Sequence, residues 1–146
     1  LPPWLNMARS LLGTSLFKKP PPDMFLKKFM LGQDGSRPLV ESLLDCMKSV
    51  QPAVLAQRLN TIVSLDAARQ LRECKAPILY LLGTQDQAVA DRGWKAIEKV
   101  RPDVALVELD APHMIMQTRP KEVLKAIDLF VAELEKNREK LFAESA

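Results

Sequence analysis

Apolar residues recur at three- and four-residue spacing through the first half of the chain. Trp4, Leu5, Ala8, Leu11 and Leu12 share one helical face that ends near Gly13. Pro22-Asp23 opens a second helix, which carries Met24, Phe25, Phe29 and Met30 and closes at Gly32. A third starts at Ser36 or Arg37, with Leu39, Val40, Leu43, Leu44, Met47 and Val50 in phase. Pro52 starts a fourth, with Val54, Leu55, Leu59, Ile62 and Val63 predicted inward. Asp66 is placed to cap a short fifth helix through Ala68 and Leu71. Seven of the eleven prolines fall in residues 1–52, where they stop one helix or sit in the first turn of the next. Residues 1–75 therefore read as an all-helical layer whose Leu, Met and Phe stripes serve a core.

The pattern changes after Ala76-Pro77. Ile78 to Leu82 is a short continuous apolar run ended by Gly83, the signature of a strand buried on both faces. A helix follows from Asp91 to Val100, with Trp94 and Ile97 inward. Val104 to Leu109 reads as a second strand and Asp110 to Arg119 as a loop. A long helix starts at Pro120, with Val123, Leu124, Ile127, Phe130, Val131 and Leu134 on one face. Strand, helix, strand, helix implies parallel strands joined by a crossover. The fold class expected is α/β, a helical region followed by a β-α-β-α segment over residues 76–146. Two parallel strands make a small sheet with open edges. With Leu rather than Met at position 1, they predict further strands upstream, or self-association through the exposed sheet edge.

Composition narrows the function classes. With 47% hydrophobic and 27% charged residues in 146, the chain is of ordinary globular type, long enough for a real core. No apolar run approaches the roughly 18–20 residues of a membrane span, and the first residues lack the pattern of a signal peptide. Two cysteines, Cys46 and Cys74, make neither a disulfide framework nor a zinc site; they read as buried free thiols of a cytoplasmic protein. One histidine argues against a metal site. Net charge is +3, with 11 Lys/Arg against 6 Asp/Glu in residues 1–75. Aromatics are too few, at 5%, to interleave a basic stripe for nucleic acid. Lys18, Lys19, Lys27 and Lys28 make a basic surface that suits an acidic substrate or an acyl-carrier partner, although a solvated face is the plainer reading.

The chemistry lies at the strand ends. Asp86 follows the first strand and His113 follows the second, so adjacent loops present a carboxylate and an imidazole on the carboxyl edge of the sheet. A carboxylate can hold a histidine in one tautomer and stabilise its protonated form during general-base catalysis. The plainer alternative is that Asp86 caps a turn and His113 is an ordinary loop residue. Asp66, Asp91 and Asp110 are rival acids, the first two better explained as helix starts, the third close to His113 in sequence.

The segments Ala76-Pro77-Ile78-Leu79-Tyr80-Leu81-Leu82-Gly83-Thr84-Gln85-Asp86 and Glu108-Leu109-Asp110-Ala111-Pro112-His113 resemble the C-terminal part of the α/β-hydrolase family. The resemblance implies Asp86 as triad acid, His113 as triad base, residues 1–75 as a helical cap and residues 76–146 as the end of the core. The 27-residue separation of acid and base fits, as does the Ser64–Leu71 helix that returns the chain to the sheet. It implies a serine hydrolase of carboxylic esters that needs no cofactor and no metal. The pocket would be lined by Trp4, Phe25, Phe29 and Met114, with Met30 and Met116 nearby, unless these serve simple packing.

One element of that pattern is absent. The family order is nucleophile, acid, histidine, with the nucleophile in a G-x-S-x-G elbow. No such elbow occurs in the 146 residues; Gly13-Thr14-Ser15-Leu16-Phe17 lacks the second glycine and follows a helical pattern, and Ser36 and Ser42 have no glycine frame. The chain alone is expected to be inactive. An aspartate nucleophile would instead give an epoxide hydrolase or a haloalkane dehalogenase. A further alternative is a non-catalytic docking module, or one half of a split hydrolase.

Overall fold

A computed structural model describes residues 21–89 and 91–144. The first expected helix, with Trp4, and the Ser15 segment lie outside the described residues. Helix α1 spans Asp23–Leu26. The Pro22 carbonyl accepts the amides of Phe25 and Leu26, so the proline serves as a helix start that lacks only a donor it would not have used. The helix runs on as a π-helical turn, Lys27–Leu31, and ends at Gly32 with φ of 59°. That left-handed conformation favours glycine. A 3-10 turn, Gly32–Asp34, leads to α2, Arg37–Lys48, which has Pro38 in its first turn. Leu26, Leu31 and Val40 form the core beneath these helices, and Phe25, Met30, Leu43 and Met114 pack against them. Leu31 is wholly buried; burial of a leucine stabilises by roughly 1.5–3 kcal/mol.

Helix α3, Pro52–Ser64, departs from the expected packing. It buries only Ala56, with Leu55, Leu59 and Val63 half-buried. Val54 and Ile62 face solvent, Ile62 at 62% exposure, because the covered stripe is narrower than the apolar spacing suggests. Cys46, on α2, is exposed and Cys74 half-buried, which corrects the reading of both as buried thiols. Helix α4, Ala68–Glu73, starts where the Asp66 carboxylate accepts the Ala68 amide at 3.0 Å. The Arg101 guanidinium donates to the Leu71 and Cys74 carbonyls and forks onto Asp103 at 2.7 Å, tying this return segment to the edge of the sheet.

The sheet consists of β1, Leu79–Gly83, and β2, Ala105–Leu109, paired parallel with Leu79 opposite Ala105 and Gly83 opposite Leu109. The described residues are thus mostly helical with a two-stranded parallel sheet, an α/β arrangement. Helix α5, Asp91–Val100, lies on one face, where the Tyr80 and Trp94 rings meet at 5.6 Å. Residues 110–119 are not all loop: Ile115–Thr118 forms a helical turn, α6, whose Thr118 hydroxyl donates back to the Met114 carbonyl. Helix α7, Pro120–Glu144, packs on β1 from the side of Leu79, the face opposite Tyr80. Val123 and Ala126 are buried there, whereas Leu124, Ile127 and Val131 are exposed, contrary to the single inward stripe expected. A cleft of about 480 Å³ remains between α7 and the sheet, lined by Leu79, Val107, Leu109 and Phe130 among others. Leu79, Tyr80 and Leu81 are accordingly half-buried rather than fully enclosed. Among the described residues no helix is long and apolar enough to cross a membrane.

Candidate active site

The two strands stop level with each other, which brings their following loops together. Backbone bonds continue past the sheet: the Thr84 amide donates to Leu109 at 2.9 Å and the Gln85 amide to Ala111 at 3.0 Å. The Asp86 amide then turns back to the Gly83 carbonyl at 3.1 Å. Gly83 permits this close approach. A Cβ placed there would lie 2.6 Å from the Ala111 oxygen and 2.8 Å from the Pro112 oxygen.

The Asp86 carboxylate is divided between two tasks. Its Oδ1 accepts the amides of Ala88 at 2.7 Å and Val89 at 3.0 Å, which fixes the turn. Its Oδ2 lies 2.9 Å from His113 Nδ1. The carboxylate has no proton to give, so Nδ1 carries the hydrogen and donates it. The neutral ring then keeps a lone pair on Nε2, which has no hydrogen-bond partner among the described residues. Asp86 is 11% exposed and His113 35%, so the acid is screened from water and the imidazole is open to a reactant.

The second loop is held from the other side. The Met114 amide donates to the Met30 carbonyl at 2.9 Å, Pro112 is fully buried, and Gly32 packs against Pro112. The segment from Lys27 to Gly35 therefore forms a wall beside the pair. Burial alone would raise the Asp86 carboxyl. Its bond to His113, the two turn amides and the imidazolium charge outweigh that and hold it below the ordinary aspartate value. For His113, the hydrogen bond to Asp86 raises the imidazole above its ordinary value, against the effect of burial and with the help of the aspartate charge. Tyr80 is raised as well, by burial and then by the Asp86 charge.

The rival acids lie elsewhere. Asp110 accepts from the Gln85 side-chain amide at 2.6 Å, Asp91 pairs with Lys95 at 2.5 Å, and Asp66 caps α4. The Phe25 and Phe29 rings meet at a tilt with centres 4.8 Å apart, and Phe25 and Met114 pack against the Leu26–Leu31–Val40 core. Trp4 lies outside the described residues. Among those described, no cluster of three or more His, Cys, Asp or Glu could hold a metal ion. The sequence carried no sign of the Met30–Met114 bond or of the steric demand at Gly83, which depend on which loops meet.

A stretch of 54 residues is 35% identical to ethanol acetyltransferase 1 of Wickerhamomyces anomalus. The match takes in 37% of this chain and 14% of that protein, so the chain spans a small part of its relative's length. No family model matches the chain.

Proposed function

We propose that the chain supplies the acid and base of an acyl-transfer site acting on carboxylic esters, as the C-terminal part of an α/β-hydrolase-type serine enzyme. The observation that carries this reading is the 2.9 Å bond from His113 Nδ1 to Asp86, which leaves Nε2 open at the carboxyl edge of a parallel sheet. The nucleophile is a serine outside these 146 residues, because they hold no G-x-S-x-G elbow. Nε2 takes the proton from the serine hydroxyl as its oxygen attacks the ester carbonyl. The imidazolium, stabilised by Asp86, gives that proton to the departing alkoxide and leaves an acyl-enzyme. The same nitrogen then deprotonates the acceptor: water completes hydrolysis, and an alcohol completes a transfer. The partial likeness to an ethanol acetyltransferase supports ester chemistry of this kind.

The test has two arms. The 146-residue chain alone should not turn over p-nitrophenyl acetate. The longer in-frame product with a serine elbow should, and His113→Ala should reduce its kcat by roughly 10²–10⁴-fold. A start codon directly upstream of Leu1, or an elbow-bearing product indifferent to His113→Ala, refutes the proposal. An aspartate in the elbow would move the chemistry to epoxides or halides.

A further inference from the structure

Beside the acid–histidine pair lies an open cleft of about 380 Å³, lined by Met24, Lys27, Lys28, Gln33, Gln85 and Gln87, with Gly32 and Gly35 in its floor. Its size suits a small ligand or one arm of a larger one. Its described lining holds two ammonium groups, three carboxamides and no carboxylate. Neither lysine has an ion-pair partner among the described residues. Lys27 also lines a neighbouring cleft with Asp23 and Glu41, where Glu41 is engaged by Arg37 at 2.9 Å. Lys28 Nζ is set 5.6 Å from the Phe29 ring centre, a cation–π contact that restricts its positions. The two neighbouring cations repel each other, and an anion between them relieves that repulsion while the amides of Gln33 and Gln87 donate to its oxygens; the Gln85 amide, bonded to Asp110 through one hydrogen, has a second to offer.

We infer that this cleft binds an anionic group, carboxylate or phosphate, on the substrate whose ester carbonyl reaches His113. The placement supports it: Gln85 and Gln87 flank Asp86 in sequence, and the lysine-bearing wall is fastened to the His113 loop through Met30–Met114 and Gly32–Pro112. Met24, 77% exposed, offers an apolar surface to the chain that joins the two ends of such a substrate. The substrate class rests on the acyl-transfer reading; the anion site itself does not.

The experiment is a binding titration of the ¹⁵N-labelled 146-residue chain, followed at the side-chain amides of Gln33, Gln85 and Gln87. Inorganic phosphate, succinate and uncharged diethyl succinate are added separately. Saturable shifts are expected with one or both anions and not with the diester. Phosphate alone would name a phosphorylated substrate, and succinate alone a carboxylate. Affinity should fall by roughly tenfold in Lys27→Gln/Lys28→Gln and further in Lys28→Glu. These side chains are exposed, so the fold should survive, and the same spectrum reports it. No saturable shift, equal binding of the diester, or affinity unchanged in both variants would overturn the inference. His113→Ala should bind the anions normally. Intact anion binding with no ester turnover in the elbow-bearing product would sink the acyl-transfer reading and spare the cleft.

Discussion

Gly83→Ala is the sharpest probe of how the pair is held. The added methyl would stand 2.6 Å from the Ala111 oxygen and 2.8 Å from the Pro112 oxygen. Both are main-chain atoms, so no side chain can swing aside. Ordinary contact begins near 3.4 Å, and the nearer separation must open by about 0.8 Å to reach it. The loop that moves carries His113. A shift of that size on the 2.9 Å bond to Asp86 takes it beyond hydrogen-bond range. Overpacking costs roughly 1–3 kcal/mol, and the stiffer unfolded chain returns about 0.4–1 kcal/mol. The net expectation is a loss of about 1–2 kcal/mol in urea unfolding. His113 should also titrate closer to an unperturbed histidine, which is simple to follow because it is the sole histidine of the chain. An unchanged urea midpoint together with an unchanged His113 titration would show that Gly83 does not set the loop spacing.

Asp86→Asn removes the charge that holds the imidazolium, so the His113 pKa should drop to or below the ordinary histidine value of about 6.5 in an NMR titration; no change would refute the pairing. In the native chain the raised His113 contributes stability fully below about pH 6.5 and loses it as pH rises through its folded value. The lowered Asp86 contributes fully above about pH 4 and loses it as pH falls through its folded value. The pair should therefore stabilise most between these limits, and Asp86→Asn should lower the urea midpoint there and flatten its fall on either side. Gly32→Ala forces a side chain into φ of 59° with Pro112 only 3.0 Å away, and should cost about 1–2 kcal/mol in the same unfolding assay. Ile62→Gln should change stability by less than about 0.5 kcal/mol, because that side chain is already in solvent; a larger loss would mean that α3 is covered in solution.

The local punctuation of the chain was legible and its long-range packing was not. Prolines at 22, 38, 52 and 120 mark helix starts because the ring fixes φ and lacks a donor, effects confined to one residue. The apolar runs at 78–82 and 104–109 marked the strands to within a residue. Asp66 was legible as a cap for the same local reason. Periodicity overstated burial on α3 and α7, since a spacing shows which residues share a face and not whether another element covers it. The helical turn at Ile115–Thr118 was missed because four residues are too few to show a period. For Asp86 the two readings weighed against each other are both physically present, on different oxygens. Oδ1 caps the turn and Oδ2 meets His113.

That division shows how the described residues hold the pair. The turn amides orient the carboxylate, Gly83 sets the distance between the loops, and the Met30 carbonyl anchors the chain directly after His113. Each contact lies within the described residues and most involve backbone, so the orientation of the imidazole is set by the fold. The apolar side chains left open on α3 and α7 lie on helices whose outer faces take no part in those contacts. Covering them would add stability without changing the 2.9 Å bond. Changes at Gly83, Gly32 or Asp86 should therefore register in the His113 titration, whereas changes at Ile62 or Leu124 should leave it where it is.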